Sequence, residues 1–198
     1  MNRSNPNAFF VPGLPNLNEA VAVAAEGFVQ PVSDGLQTDV RNHLADSQTA
    51  FSIVDENGQV VGFALFKNIV GVLYLTGLIL RHDYQNRGLG KAAILAGRFA
   101  TGAEYFALRT QSPRMWSVGN KLASAWYPNQ NGFSDKDLEQ KASILALELG
   151  MATPIVQGFY GGPLYGEKPT HRDPALQAWW DSLCSFQRGD AVLCVGRF

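Results

Sequence analysis

The stretch Gln85-Asn86-Arg87-Gly88-Leu89-Gly90-Lys91 has the residue types and spacing to do chemistry, and that chemistry is the holding of a pyrophosphate. Gly88 and Gly90 carry no Cβ to block a phosphate oxygen, and glycine tolerates φ > 0. A tight turn makes backbone N–H groups converge, and a helix starting there adds about half a positive charge at its N-terminus. Lys91 adds a point charge at the rim.

Glycine loops of this kind serve several chemistries. A P-loop needs Gly-Lys followed by Ser or Thr for a magnesium ion, and here Ala92 follows Gly90-Lys91. A dinucleotide fingerprint is formally present as Gly88, Gly90 and Ala93, but it belongs directly after a strand inside repeated βαβ units. Here the polar run Arg81-His82-Asp83-Tyr84-Gln85 intervenes, and the preceding chain reads as an antiparallel meander. A nicotinamide-dependent oxidoreductase is therefore the third choice.

The stretch Leu80-Arg81-His82-Asp83-Tyr84-Gln85-Asn86-Arg87-Gly88-Leu89-Gly90 resembles the acyl-CoA loop of the GCN5-related N-acetyltransferases, whose pattern is Gln/Arg-x-x-Gly-x-Gly/Ala. Gln85, Gly88 and Gly90 fill the fixed positions, Tyr84 and Lys91 match common choices, and His82 stands where proline is usual. The resemblance spans roughly residues 17–127. It implies an α+β acyltransferase fold with a mixed, mostly antiparallel sheet flanked by helices, its fourth and fifth strands parallel; the C-terminal third departs from a minimal member by extra helices. It implies acetyl-CoA as cosubstrate and a primary amine, on a small molecule or a peptide, as acceptor. Gln85, Asn86, Arg87, Gly88, Leu89, Gly90 and Lys91 would hold the pyrophosphate, and Leu78 and Leu80 would meet the pantetheine arm through their backbone.

In such enzymes a tyrosine within Asn-x-x-Ala-x-x-Leu-Tyr often protonates the departing thiolate. Asn120, Ala123, Trp126 and Tyr127 offer that spacing, which makes Tyr127 the candidate catalytic acid. A second alignment starts the helix at Ser112-Pro113 and puts the tyrosine position on Gly119. Tyr127 then reads as a helix-end tyrosine with a packed ring and a wet hydroxyl. Glu26, Asp83 and Glu104 are candidate bases, though most surface carboxylates only solvate. Trp179-Trp180, or Phe159-Tyr160 with Tyr165, could wall an acceptor pocket or simply anchor core and turn. A non-catalytic acyl-CoA-binding module is the alternative from a different class.

Asn16 or Asn18 caps a helix through Phe28, and Ser33 or Asp34 starts a second over Leu36–Ala45. Phe51–Val54 and Val60–Phe66 flank the turn Glu56-Asn57-Gly58, and Ala8–Val11 reads as an edge strand. Val72–Leu80 is the strand feeding the glycine loop, and Lys91–Phe99 is the helix leaving it. Tyr105–Thr110 is the fifth strand, with Ser112 as N-cap and Pro113 as first residue of a helix ending before Pro128. A helix from Ser134-Asp135-Lys136-Asp137 to Leu149, a strand over Pro154–Tyr160, a helix over Ala175–Phe186 and a closing strand over Asp190–Phe198 follow. One domain over 1–198 is the expectation.

Of the 198 residues, 46% are hydrophobic and 17% charged, with a formal net charge of −1, so nothing points to nucleic acid or an anionic membrane as partner. The two cysteines, Cys184 and Cys194, cannot make a disulfide framework and suit a reduced, cytoplasmic setting. The run Ala20–Ala25 lacks the basic flank of a signal peptide, and no stretch reaches the ~20 apolar residues that span a bilayer. The three histidines are scattered, so no metal site is expected. A homodimer is compatible with the chain but not specified by it.

Overall fold

A computed structural model describes residues 7–132 and 135–198. It forms two compact units, the residues up to Lys67 with Leu75–Ala100, and Asn68–Tyr74 with Thr101–Phe198.

In the first unit β1 (Ala8–Pro12), β2 (Thr49–Asp55), β3 (Val60–Ile69) and the latter part of β4 (Val72–Leu80) lie side by side in that order. β1 pairs antiparallel with β2 (Phe10 opposite Ile53), and β2 with β3 (Phe51 opposite Ala64). Asp55 builds the hairpin turn: its carboxylate accepts from the N–H groups of Asn57 and Gln59 at 2.9 and 2.8 Å. The helices are α1 (Leu17–Phe28), α2 (Asp34–Asp46) and α3 (Leu89–Thr101). Asn16 caps α1 in a reciprocal box with Glu19, and Ser33 caps α2. Ala20, Val23 and Ala24 of α1 and Val40 and Leu44 of α2 pack with Phe63 and Leu65 of β3.

The second unit is organised around its last strand. β8 (Ala191–Arg197) runs antiparallel to β5 (Tyr105–Thr110), β6 (Ala125–Tyr127) and β7 (Ile155–Val156). The first residues of β4 lie beside β5, and those two strands are parallel, as a strand–helix–strand crossover demands. The helices are α4 (Pro113–Leu122), α5 (Lys136–Glu148) and α6 (Pro174–Leu183). Leu138, Ala142 and Leu145 of α5 pack on Ala107, Leu193, Val195, Val72 and Tyr74. Elsewhere in the unit Trp126 stacks on Phe106, in space that a Cβ at Gly119 or Gly196 would fill.

Several sequence expectations change here. The strand foreseen over Pro154–Tyr160 shrinks to Ile155–Val156, because Gly158 turns left-handed (φ +67°) and its N–H donates to Asp190 Oδ1 (2.9 Å) instead of a ladder. The helix foreseen to Phe186 stops at Leu183, since Asp190 Oδ2 captures the Ser185 N–H at 2.8 Å. Ser112 precedes α4 but does not cap it with its side chain. α4 ends at Leu122, where Ser124 turns back to bond the Arg197 carbonyl and β6 begins. Asp135 caps α5, and Ser134 lies outside the described residues. No helix among the described residues is long and apolar enough to cross a membrane.

Candidate acetyl-CoA site

After β4 the chain makes a single 3-10 turn at His82–Tyr84, then enters the glycine loop. Asn86 (φ +60°) and Gly88 (φ +79°) are both left-handed, which reverses the chain within a few residues. The first helical bond of α3 runs from the Ala92 N–H to the Gly88 carbonyl at 3.1 Å. Helix geometry therefore leaves the N–H groups of Leu89, Gly90 and Lys91 without helical partners, pointing out of the N-terminus. Lys91 is exposed, and the Arg87 guanidinium lies 5.4 Å from the Tyr84 ring centroid. Open donors, the helix dipole and two cations together make an oxyanion cradle.

The two glycines play different parts. At Gly88 a Cβ would meet nothing within 4 Å, so its requirement is the backbone angle alone, in a space open to a ligand. Gly90 has ordinary helical φ, and a Cβ there would sit 3.4 Å from Leu78 Cδ2. The positive-φ reason for glycine thus applies at Gly88 and not at Gly90. The same contact places Leu78 directly under the first turn of α3.

Gln85 turns inward. Its Nε2 donates to the Leu80 carbonyl (3.1 Å) and to the Gly27 carbonyl at the end of α1 (3.4 Å). That nitrogen is committed to bracing the loop, and the Leu80 carbonyl keeps one lone pair for other partners. Glu26 completes the brace: Oε1 accepts from the His82 N–H at 3.2 Å and Oε2 from Arg81 Nη1 at 3.4 Å. The carboxylate considered as a base is therefore engaged in holding the loop entrance. Asp83 lies exposed in the 3-10 turn, and Glu104 follows α3 in the second unit.

Sequence reasoning missed Gly27 and Gly62. A Cβ on Gly27 would lie 2.7 Å from Ile79 Cγ2 and 2.8 Å from the Leu80 carbonyl oxygen, and one on Gly62 would lie 2.8 Å from the Ile79 carbonyl oxygen. Both admit the end of β4 at close range. The available signal was a glycine inside an otherwise regular apolar run, which marks close backbone approach.

Tyr127 belongs to the second unit and sits on β6, not at a helix end, so Asn120, Ala123, Trp126 and Tyr127 do not share a helix. Its half-buried ring packs against the α5 core, and burial, with Glu139 and Cys194 nearby, raises the phenol above its ordinary pKa. Trp180 is core, its indole N–H donating to the Gln111 carbonyl (3.1 Å), while Trp179 meets Trp116 edge to face. Burial pushes the Cys184 thiol to about 12 and Cys194 well above its usual value, which keeps both as protonated thiols.

The family model described as "Acetyltransferase (GNAT) family" matches residues 17–127, more than half of the chain. The chain belongs to that family, and is an N-acetyltransferase that uses acetyl-CoA. Among solved structures, a putative phosphinothricin N-acetyltransferase is 12% identical, with 97% of this chain and 99% of that one covered and a TM-score of 0.56. A Bacillus subtilis acetyltransferase solved with CoA is 13% identical, with the same coverage and a TM-score of 0.51. At these identities the likeness establishes the fold. No curated protein matches the chain.

Proposed function

We propose that this chain, acting as a single acyltransferase domain over 1–198, moves an acetyl group from acetyl-CoA to a primary amine by direct attack. The neutral amine adds to the thioester carbonyl, the C–S bond breaks, and the amine proton ends on solvent or a base while the CoA thiolate is protonated. The observation that carries the reading is the left-handed turn at Asn86 and Gly88, which leaves the N–H groups of Leu89, Gly90 and Lys91 as open donors beside Arg87 and Lys91. In this reading residues 85–91 seat the pyrophosphate, chiefly through backbone, and Leu78 and Leu80 guide the pantetheine. Tyr127 is the proposed acid, its raised pKa keeping the phenol protonated at neutral pH. The proposed setting is the cytoplasm.

The test is a thermal-shift titration with acetyl-CoA, CoA and NADH, followed by thiol release with a panel of amines. A ligand at 100 times its Kd adds about 2.7 kcal/mol, a clear rise in melting temperature. Stabilisation by both CoA species but not NADH, with turnover of at least one amine, supports the assignment. Stabilisation by NADH alone would overturn it.

A further inference from the structure

We infer that the second unit carries a carboxylate-recognition site made by Arg109 and Gln111, so that the acetylated amine belongs to an amino-acid-like molecule; this rests on the acetyltransferase reading above. Arg109 is near the end of β5. Its Nε donates to the Tyr160 hydroxyl at 3.2 Å, and its guanidinium carbon lies 4.3 Å from the Phe159 ring centroid and 5.6 Å from that of Tyr160. Among the described residues no carboxylate lies within ion-pair distance of it. A cation held partly out of water against aromatic rings favours an anion, and guanidinium's forked donors fit a carboxylate.

Gln111, just past the end of β5, is the independent observation. It is 2% exposed; Oε1 accepts from the Leu164 N–H at 2.8 Å, whereas the buried Nε2 has no partner. Leaving such a donor unmade costs about 1–3 kcal/mol, which a ligand acceptor relieves. Segment 159–164 touches both side chains, through Phe159 and Tyr160 at Arg109 and Leu164 at Gln111. Beside this one segment, therefore, the two groups offer donors only, and one positive charge. A carboxylate is the complement: acceptors only, one negative charge.

The test uses the full chain with acetyl-CoA and pairs of amines that differ only by a carboxylate: methionine and 3-(methylthio)propylamine, phenylalanine and phenethylamine, lysine and cadaverine. Phosphoethanolamine against ethanolamine is included for other oxyanions. The expected result is a kcat/KM at least about tenfold higher for the carboxylate member of the productive pair. Arg109→Met should erase that preference through KM, Arg109→Lys should keep part of it, and Gln111→Met should weaken it less. Each variant is first checked for cooperative melting and for stabilisation by acetyl-CoA. Equal or better use of the decarboxylated amines, preference for the phosphate-bearing one, turnover of none, or an undiminished preference in folded Arg109→Met or Arg109→Lys would overturn the inference. Failure of acetyl-CoA to stabilise the unaltered chain would instead overturn the acetyltransferase reading.

Discussion

Replacing Gln85 by leucine separates a brace from a ligand contact. The change keeps the approximate volume and removes the Nε2 donor, which leaves the Leu80 and Gly27 carbonyls without the bonds of 3.1 and 3.4 Å that Gln85 gives them. The shorter bond is worth about 1 kcal/mol net and the longer, weaker one about half of that, for a loss of ~1.5 kcal/mol. At about 2–4 °C per kcal/mol for a chain of this size, the ligand-free protein should melt about 3–6 °C lower. The loop, no longer tied to α1 and β4, must then be ordered by acetyl-CoA itself, and the Kd should rise about tenfold for each ~1.4 kcal/mol of ordering. Differential scanning fluorimetry without ligand and calorimetric titration with acetyl-CoA read the two quantities separately. A lower affinity with an unchanged ligand-free melting temperature would mean that the side chain contacts the cofactor directly, and the bracing argument would fail.

Gly27→Ala pushes a methyl against the Leu80 carbonyl and Ile79, backbone and packed side chain, and should cost about 1–3 kcal/mol in a urea melt; a neutral result would refute the close α1–β4 approach. Gly88→Ala should cost about 1–2 kcal/mol through its left-handed φ alone. Tyr127→Phe should lower kcat by about 10²-fold or more with acetyl-CoA affinity unchanged, if the phenol is the acid; an unaltered kcat would remove it from that role. Asp190, fully buried and doubly bonded to Arg188, has its carboxyl held down at about 2 against 3.8 when free, first by those Arg188 bonds. A folded pKa below the unfolded one gives stability that is present above about pH 4 and lost as the pH falls toward about 2, here about 2 kcal/mol. Asp190→Asn should flatten that part of the acid-unfolding profile, and an unchanged profile would contradict it.

What the sequence itself determined was local. Capping residues, turn residues and apolar periodicity act over a few positions, so Asn16, Ser33, Gly58, the glycine loop and the start of α4 at Pro113 were readable before any fold existed. The oxyanion cradle is of the same kind, because its donors are the first N–H groups of one helix. Tertiary structure decided what depends on partners distant in the chain. Gln85 and Glu26 became braces only when α1 arrived beside β4, and Gly27 proved obligatory only there. The segment around Tyr127 became a strand because β8, some seventy residues later, offered it a ladder. Gly158 and Ser185 left strand and helix because the buried Asp190 carboxylate outbid the local pattern for their N–H groups. A backbone donor takes the acceptor that folding brings to it, and sequence periodicity carries no record of which one that is.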